Sequence, residues 1–138
     1  MLLTDLDGGL DGVSLSLPDD LLWSDEHSWS PAVSSVSYLL GGALLVQSAL
    51  RQAGRPITLV GAADMGWVPR GTVTVLRDWA AIPLSATAGR FRLVLQGART
   101  FIVAFRHTEI AVDSEPVTGF PARGDLDYYR ITIRLMEI

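Results

Sequence analysis

The chain has 138 residues, of which 49% are apolar and 19% charged, and it contains no cysteine. That length suits one domain with a real hydrophobic core, and the composition excludes a disordered chain. Without cysteine there is no disulfide framework and no thiolate metal site. All eleven basic residues are arginine, and they are unevenly placed. Residues 1–50 hold seven acids and no base, while residues 51–138 hold eleven bases and eight acids, so about −7 faces about +3.

Residues 1–11 lack the basic and apolar regions of a signal peptide and read as a flexible acidic N-terminus. Residues 12–17 (GVSLSL) alternate like a strand and stop at Pro18. Residues 32–40 and 43–50 read as two strands joined at Gly41-Gly42. The apolar run at 39–46 is far shorter than the roughly 20 residues of a membrane-spanning helix. Residues 56–61 (PITLVG) form a short strand.

One segment departs from strand periodicity. Residues 72–82 (TVTVLRDWAAI) have helical spacing, with Val75, Trp79 and Ile82 on one stripe, Thr72 as N-cap and Pro83 as stop. The β-branched residues at 73–75 leave a strand as the alternative.

Residues 91–96 and 99–106 read as a hairpin, with Gly97-Ala98 as a two-residue type II′ turn. That register places Val94 opposite Phe101 and Leu93 opposite Ile102, and it makes both faces apolar. Either both faces are covered or a bulge shifts the register. Residues 108–117 form a weaker strand, and 116–127 (PVTGFPARGDLD) a surface connection. In the last strand Tyr129, Ile131, Ile133 and Leu135 alternate with Tyr128, Arg130, Thr132 and Arg134, giving one apolar and one polar face. The expected fold is therefore mainly β: an antiparallel β-sandwich or barrel with one flanking α-helix near 72–82, in a single domain over 1–138.

Catalytic and metal chemistry find little support. His27 and His107 belong to no ligand spacing and read as surface or edge histidines. No G-x-S-x-G elbow is present, although a triad can assemble from distant residues. Asp5, Asp7 and Asp11 alternate with glycines in the manner of a calcium loop, but Gly9 and Ser16 stand where EF-hand ligands are needed. No phosphate-binding glycine loop is present. The reading contains no catalytic residues, no cofactor and no metal. Arg90, Arg92, Arg99 and Arg106 share the hairpin and form either a basic patch or pairs with carboxylates. Trp23 and Trp29, in an acidic Ser-rich stretch, either cap the core edge or serve an interface, where tryptophan is enriched.

Three motifs taken together resemble a known group. They are Leu10-Asp-Gly-x-x-Leu-x-Leu-Pro18-Asp-Asp, the Gly-Arg-Pro-Ile-Thr-Leu block at 54–59, and the closing Ile-Arg-Leu-Met-Glu-Ile at 133–138. Their order along nearly the whole chain resembles small tail-tip or baseplate proteins of long-tailed bacteriophages, such as the distal tail protein. The resemblance implies a structural, non-enzymatic virion component at the tail tip, assembled in the host cytoplasm. It implies a homo-oligomeric ring of six copies or a multiple of three, joining the tail tube to the tip complex. The partners would be further copies and other tail proteins (tube, hub and tape measure). No membrane is involved, and DNA is only cargo through the channel.

The candidate contact residues are Trp23, Asp25, Glu26, Trp29, Arg92, Arg99 and Arg106. The acidic first part and arginine-bearing second part would then be complementary head-to-tail surfaces. Guanidinium–carboxylate pairing and codon bias explain the missing lysine equally well. A small β-sandwich that binds a glycan or a protein through exposed aromatics is the alternative function.

Overall fold

The computed structural model describes residues 1–7, 12–118 and 124–138. It is mainly β with one helix. The strands are β1 (Leu2–Asp5), β2 (Ser14–Ser16), β3 (Leu22–Trp23), β4 (Ala32–Tyr38), β5 (Leu44–Leu50), β6 (Pro56–Val60) and β7 (Trp67–Pro69). After helix α1 (Arg70–Ala80) come β8 (Phe91–Val94), β9 (Thr100–Phe105), β10 (Val112–Pro116) and β11 (Tyr128–Glu137). Nine strands form one antiparallel sheet in the order β2-β1-β8-β9-β11-β6-β3, with β10 and β7 also paired to β11. It is β-sandwich-like and not a closed barrel. β4 and β5 form a separate two-stranded sheet.

β11 organises the large sheet. β10 and β9 pair successively along one of its edges, β7 and β6 along the other. Its alternation holds: Ile131, Ile133 and Leu135 are buried, and Tyr129 packs on the core from its margin. On neighbouring strands Leu3, Ile57, Leu59, Phe91, Leu93 and Val103 are fully enclosed. The Phe91 ring lies between Trp79, at 5.4 Å, and Phe105, at 5.1 Å, in the stacked and edge-on geometries that aromatic pairs favour.

The chain start corrects one expectation. Residues 1–7 are not a loose acidic tail, because Leu2–Asp5 is a strand between β2 and β8, with Leu3 and Asp5 buried. The rest of that expectation, over 8–11, lies outside the described residues, as does part of the connection expected at 116–127.

The helix also differs in detail. It begins at Arg70, two residues before Thr72, and its N-cap position is Pro69 with no side-chain cap. The reason is tertiary. Arg70 N–H donates to Asp127 O (2.8 Å) and Gly71 N–H to Asp125 O (3.1 Å), so a neighbouring segment satisfies donors a capping side chain would otherwise serve. The buried stripe is Val73, Leu76 and Trp79, one turn earlier than the expected Val75, Trp79 and Ile82.

The β8–β9 turn is the more consequential correction. It is a three-residue loop, Gln96–Ala98, closed by Leu95 N–H donating to Arg99 O (2.9 Å). Phe91 therefore faces Val103, and Leu93 faces Phe101. A shift of one residue moves every side chain of a strand to the other face. Phe91, Leu93, Phe101, Val103 and Phe105 thus share one side, while Arg92 and Ile102 share the other. The hairpin has one apolar face, and β8–β9 does not carry a second.

The same loop places Ala98 at φ +60°, the only non-glycine with positive φ among the described residues. An L-residue costs roughly 1–2 kcal/mol there, of which glycine's greater unfolded-state freedom recovers part. Ala98→Gly is therefore expected to stabilise the protein by about 0.5–1 kcal/mol in denaturant unfolding. A two-residue type II′ turn would give no such gain.

Candidate interaction surface

The feature that stands apart is the β4–β5 hairpin. Its seven cross-strand pairs run from Ala32↔Leu50 to Tyr38↔Leu44. Leu39 N–H donates to Ala43 O (2.8 Å), and Gly42 N–H to Leu39 O (2.8 Å). Gly42 has φ +82°, which glycine adopts without steric cost. The two glycines expected at the tip thus make the turn. Between Pro31 and Gly54 only Val33 is half-buried, and every other residue is exposed. Among the described residues the strands' only substantial packing partner is each other.

Its chemistry is unusual for an exposed element. No Asp, Glu, Arg or Lys occurs from residue 27 to residue 50. Of eighteen large apolar side chains exposed among the described residues, eight lie on this hairpin. The pairing puts Ala32, Val36, Tyr38, Leu44, Val46 and Leu50 on one face, with Ser34 and Ser48 at its middle. The other face holds Val33, Ser35, Ser37, Leu45, Gln47 and Ala49. Among the described residues both outer edges lack a neighbouring strand, and no charge or proline within the strands blunts them, as edge strands usually require.

The root of this arm is fastened by residues expected at an interface. Asp25 accepts from Thr58 N–H (2.8 Å) and Thr58 Oγ1–H (2.7 Å). Glu26 pairs with Arg99, whose guanidinium lies 5.3 Å from the Trp23 ring centre. Trp23 is buried and meets Phe101 edge-on at 5.6 Å. The Arg55 guanidinium sits 4.8 Å from the centre of Trp29 and 5.8 Å from that of Phe101. Gly54 N–H donates to Glu137 O, and Glu137 N–H to Arg55 O, each at 2.9 Å. The segment entering the arm is thus tied to β6 and to the start of β9, and the segment leaving it to the end of β11 and to β9.

Trp23, Asp25, Glu26, Trp29 and Arg99 therefore meet around the arm's root. Arg106 reaches the same network from β9, with Thr58 Oγ1 at 3.4 Å and Glu109 at 3.4 Å. Arg92 lies apart, exposed on β8. Of the hairpin arginines, Arg90 pairs with Asp7, Arg99 with Glu26 and Arg106 with Glu109, so carboxylates take three of the four. His107 caps the helix end through Ala80 O (2.6 Å), and His27 is exposed beside Glu26. The arm's exposed apolar face is not among the contact residues that the sequence marks. Its signal is a 24-residue charge-free run with strand alternation in a chain that is 19% charged.

Comparison with protein families, with curated proteins and with solved structures gives no match.

The hydrogen bond from Arg99 holds the Glu26 carboxyl below its ordinary range, as Arg90 does for Asp7. A depressed folded-state pKa adds stability above the unfolded pKa and loses it as pH falls through the folded one. Glu26→Gln is therefore expected to flatten the acid limb of the stability curve below the ordinary glutamate range. Part of the limb should persist through Asp7, and the variant should match the parent once both carboxyls are protonated. Denaturant unfolding over an acid pH series checks this. Arg55→Ala removes the guanidinium between Trp29 and Phe101 and is expected to cost about 1 kcal/mol. Hydrogen exchange should quicken in 24–31 and 51–55 while β8 and β11 stay protected.

Proposed function

We propose that this protein is a structural, non-enzymatic subunit of a phage tail tip. In this reading it assembles into a ring of six copies, or a multiple of three, that joins the tail tube to the tip complex around the DNA channel. The observation that carries the reading is the projecting hairpin. A soluble body that holds out a charge-free, apolar arm on a braced root is built to be completed by another protein surface, since exposed apolar patches of this kind mark interaction sites. The order of motifs along the chain and the mainly β fold with one helix support the tail-tip assignment. Its partners are further copies of itself and other tail proteins, with DNA as cargo only.

The alternative, a module that binds a glycan or a protein through exposed aromatics, does not find them at Trp23 and Trp29, although Trp67 and Tyr128 are exposed side by side with ring centres 6.2 Å apart. Trp23 is buried, and Arg55 covers one face of the half-buried Trp29 ring.

Light scattering over a concentration series, with negative-stain imaging of the same samples, tests the reading. Closed rings with a subunit number divisible by three are expected. A monomer that persists at high concentration, or open irregular aggregates alone, would overturn it.

A further inference from the structure

We infer that the apolar face of the β4–β5 hairpin is covered by the same hairpin of a second copy of this chain, arm against arm. The inference rests on the reading of this protein as an assembling subunit and names one of its contacts: a face that meets its own copy is two-fold and joins subunits in pairs, so ring closure takes a second, head-to-tail contact.

Surface matching is the first argument. The face formed by Ala32, Val36, Tyr38, Leu44, Val46 and Leu50 needs an apolar counterpart. Among the described residues the body offers none of that extent. Its ten exposed large apolar side chains there are separated along the chain, and the one aromatic pairing among them, Trp67 beside Tyr128 with ring centres 6.2 Å apart, is far shorter than the arm's face. Among the described residues only another arm presents an apolar strip of the same length, interrupted by the same Ser34–Ser48 pair.

Charge is the second argument. Symmetric assembly brings identical residues of neighbouring arms close together, so a charge on the arm would meet its own copies and repel them. A run of 24 residues without Asp, Glu, Arg or Lys, in a chain with 26 such residues, avoids this. A differently charged partner would instead be selected by complementary charges, and the arm provides nothing to complement.

Area is the third. Eight side chains project from the face. If each loses about 60 Å², two faces together bury on the order of 1,000 Å², which reaches the threshold of a specific contact. An isolated two-stranded hairpin is also only marginally stable in water, and a second arm supplies the missing layer.

Because the protein has no cysteine, single-cysteine variants report on one place each. Ser34 lies on the apolar face, and its neighbour Ser35 points to the opposite one. In the full-length protein, a short bismaleimide cross-linker should couple Ser34→Cys into covalent dimers at least tenfold more efficiently than Ser35→Cys or the body variant Thr108→Cys. Val36→Glu, at an exposed position, should leave the unfolding midpoint nearly unchanged and weaken association at least tenfold. Rings that form normally with Val36→Glu, without preferential coupling at Ser34, would overturn the arm-to-arm contact and leave the ring reading standing. A persistent monomer would overturn both. A fluorophore at Ser34→Cys that leaves water only on adding phospholipid vesicles would assign the face to lipid and overturn the contact as well.

Discussion

The structure depends on the pairing of β11. It is ten residues long and has a partner along nearly all of both edges: β10 then β9 on one side, β7 then β6 on the other. Those partners come from well-separated parts of the chain, so one strand closes several long loops at once. Its buried face, Ile131, Ile133 and Leu135, is then the middle of the core. Each such side chain contributes about 1.5–3 kcal/mol by leaving water, and sliding the strand by one residue would exchange that face for Arg130, Thr132 and Arg134. Register and core therefore enforce one another.

The arm is mounted on the far end of the same strand. Glu137 exchanges backbone hydrogen bonds with the segment leaving β5, and Arg55 from that segment lies across Trp29, two residues before Pro31. Phe101 completes the stack from β9 and also receives the edge of Trp23. Chain entry and exit are thus gripped by one aromatic–guanidinium stack standing on β9, beside the end of β11. An exposed hairpin with so little packing of its own gains direction from such a root, and direction is what an assembling arm must retain.

Much of the fold was legible in the sequence, and the exceptions share a cause. The alternation of β11, the β4–β5 pair with its glycine tip and the single helix were readable because each is encoded locally. What escaped depends on distant partners. Leu2–Asp5 is a strand because β2 and β8 flank it, and Trp67–Pro69 because β11 accepts it. The helix starts at Arg70 because the carbonyls of Asp125 and Asp127 receive its first N–H groups, which no capping rule at Thr72 anticipates. At Gln96–Ala98, an alanine occupies a left-handed position normally advertised by Gly or Asn, so the turn was read one residue short and both faces of β8–β9 looked apolar. For the site, the residues around Trp23 and Trp29 were readable as a group, but their common task was not. That task appears only once Arg55, Phe101 and Glu137 are brought beside them.

The uneven charge acquires a different meaning from this arrangement. The acidic first part and the arginine-bearing second part suggested two surfaces that attract between copies. Within the chain, Asp7 already meets Arg90, Glu26 meets Arg99, and the Asp25–Thr58 pair lies against Arg106. These opposite charges are used in holding the N-terminal segments and the arm's root to the sheet. Exposed ion pairs are individually worth little, so their contribution is geometric: they select one placement of the segments that the apolar core already retains. Between the two charged blocks lies the charge-free run that forms the arm. The polarity of the sequence thus follows the architecture, with charge at the joints and apolar surface on the part held outward. A surface that attracts through burial and carries no charge of its own gains little from long-range steering. Its specificity has to come from shape and from the fixed angle at which the root presents it.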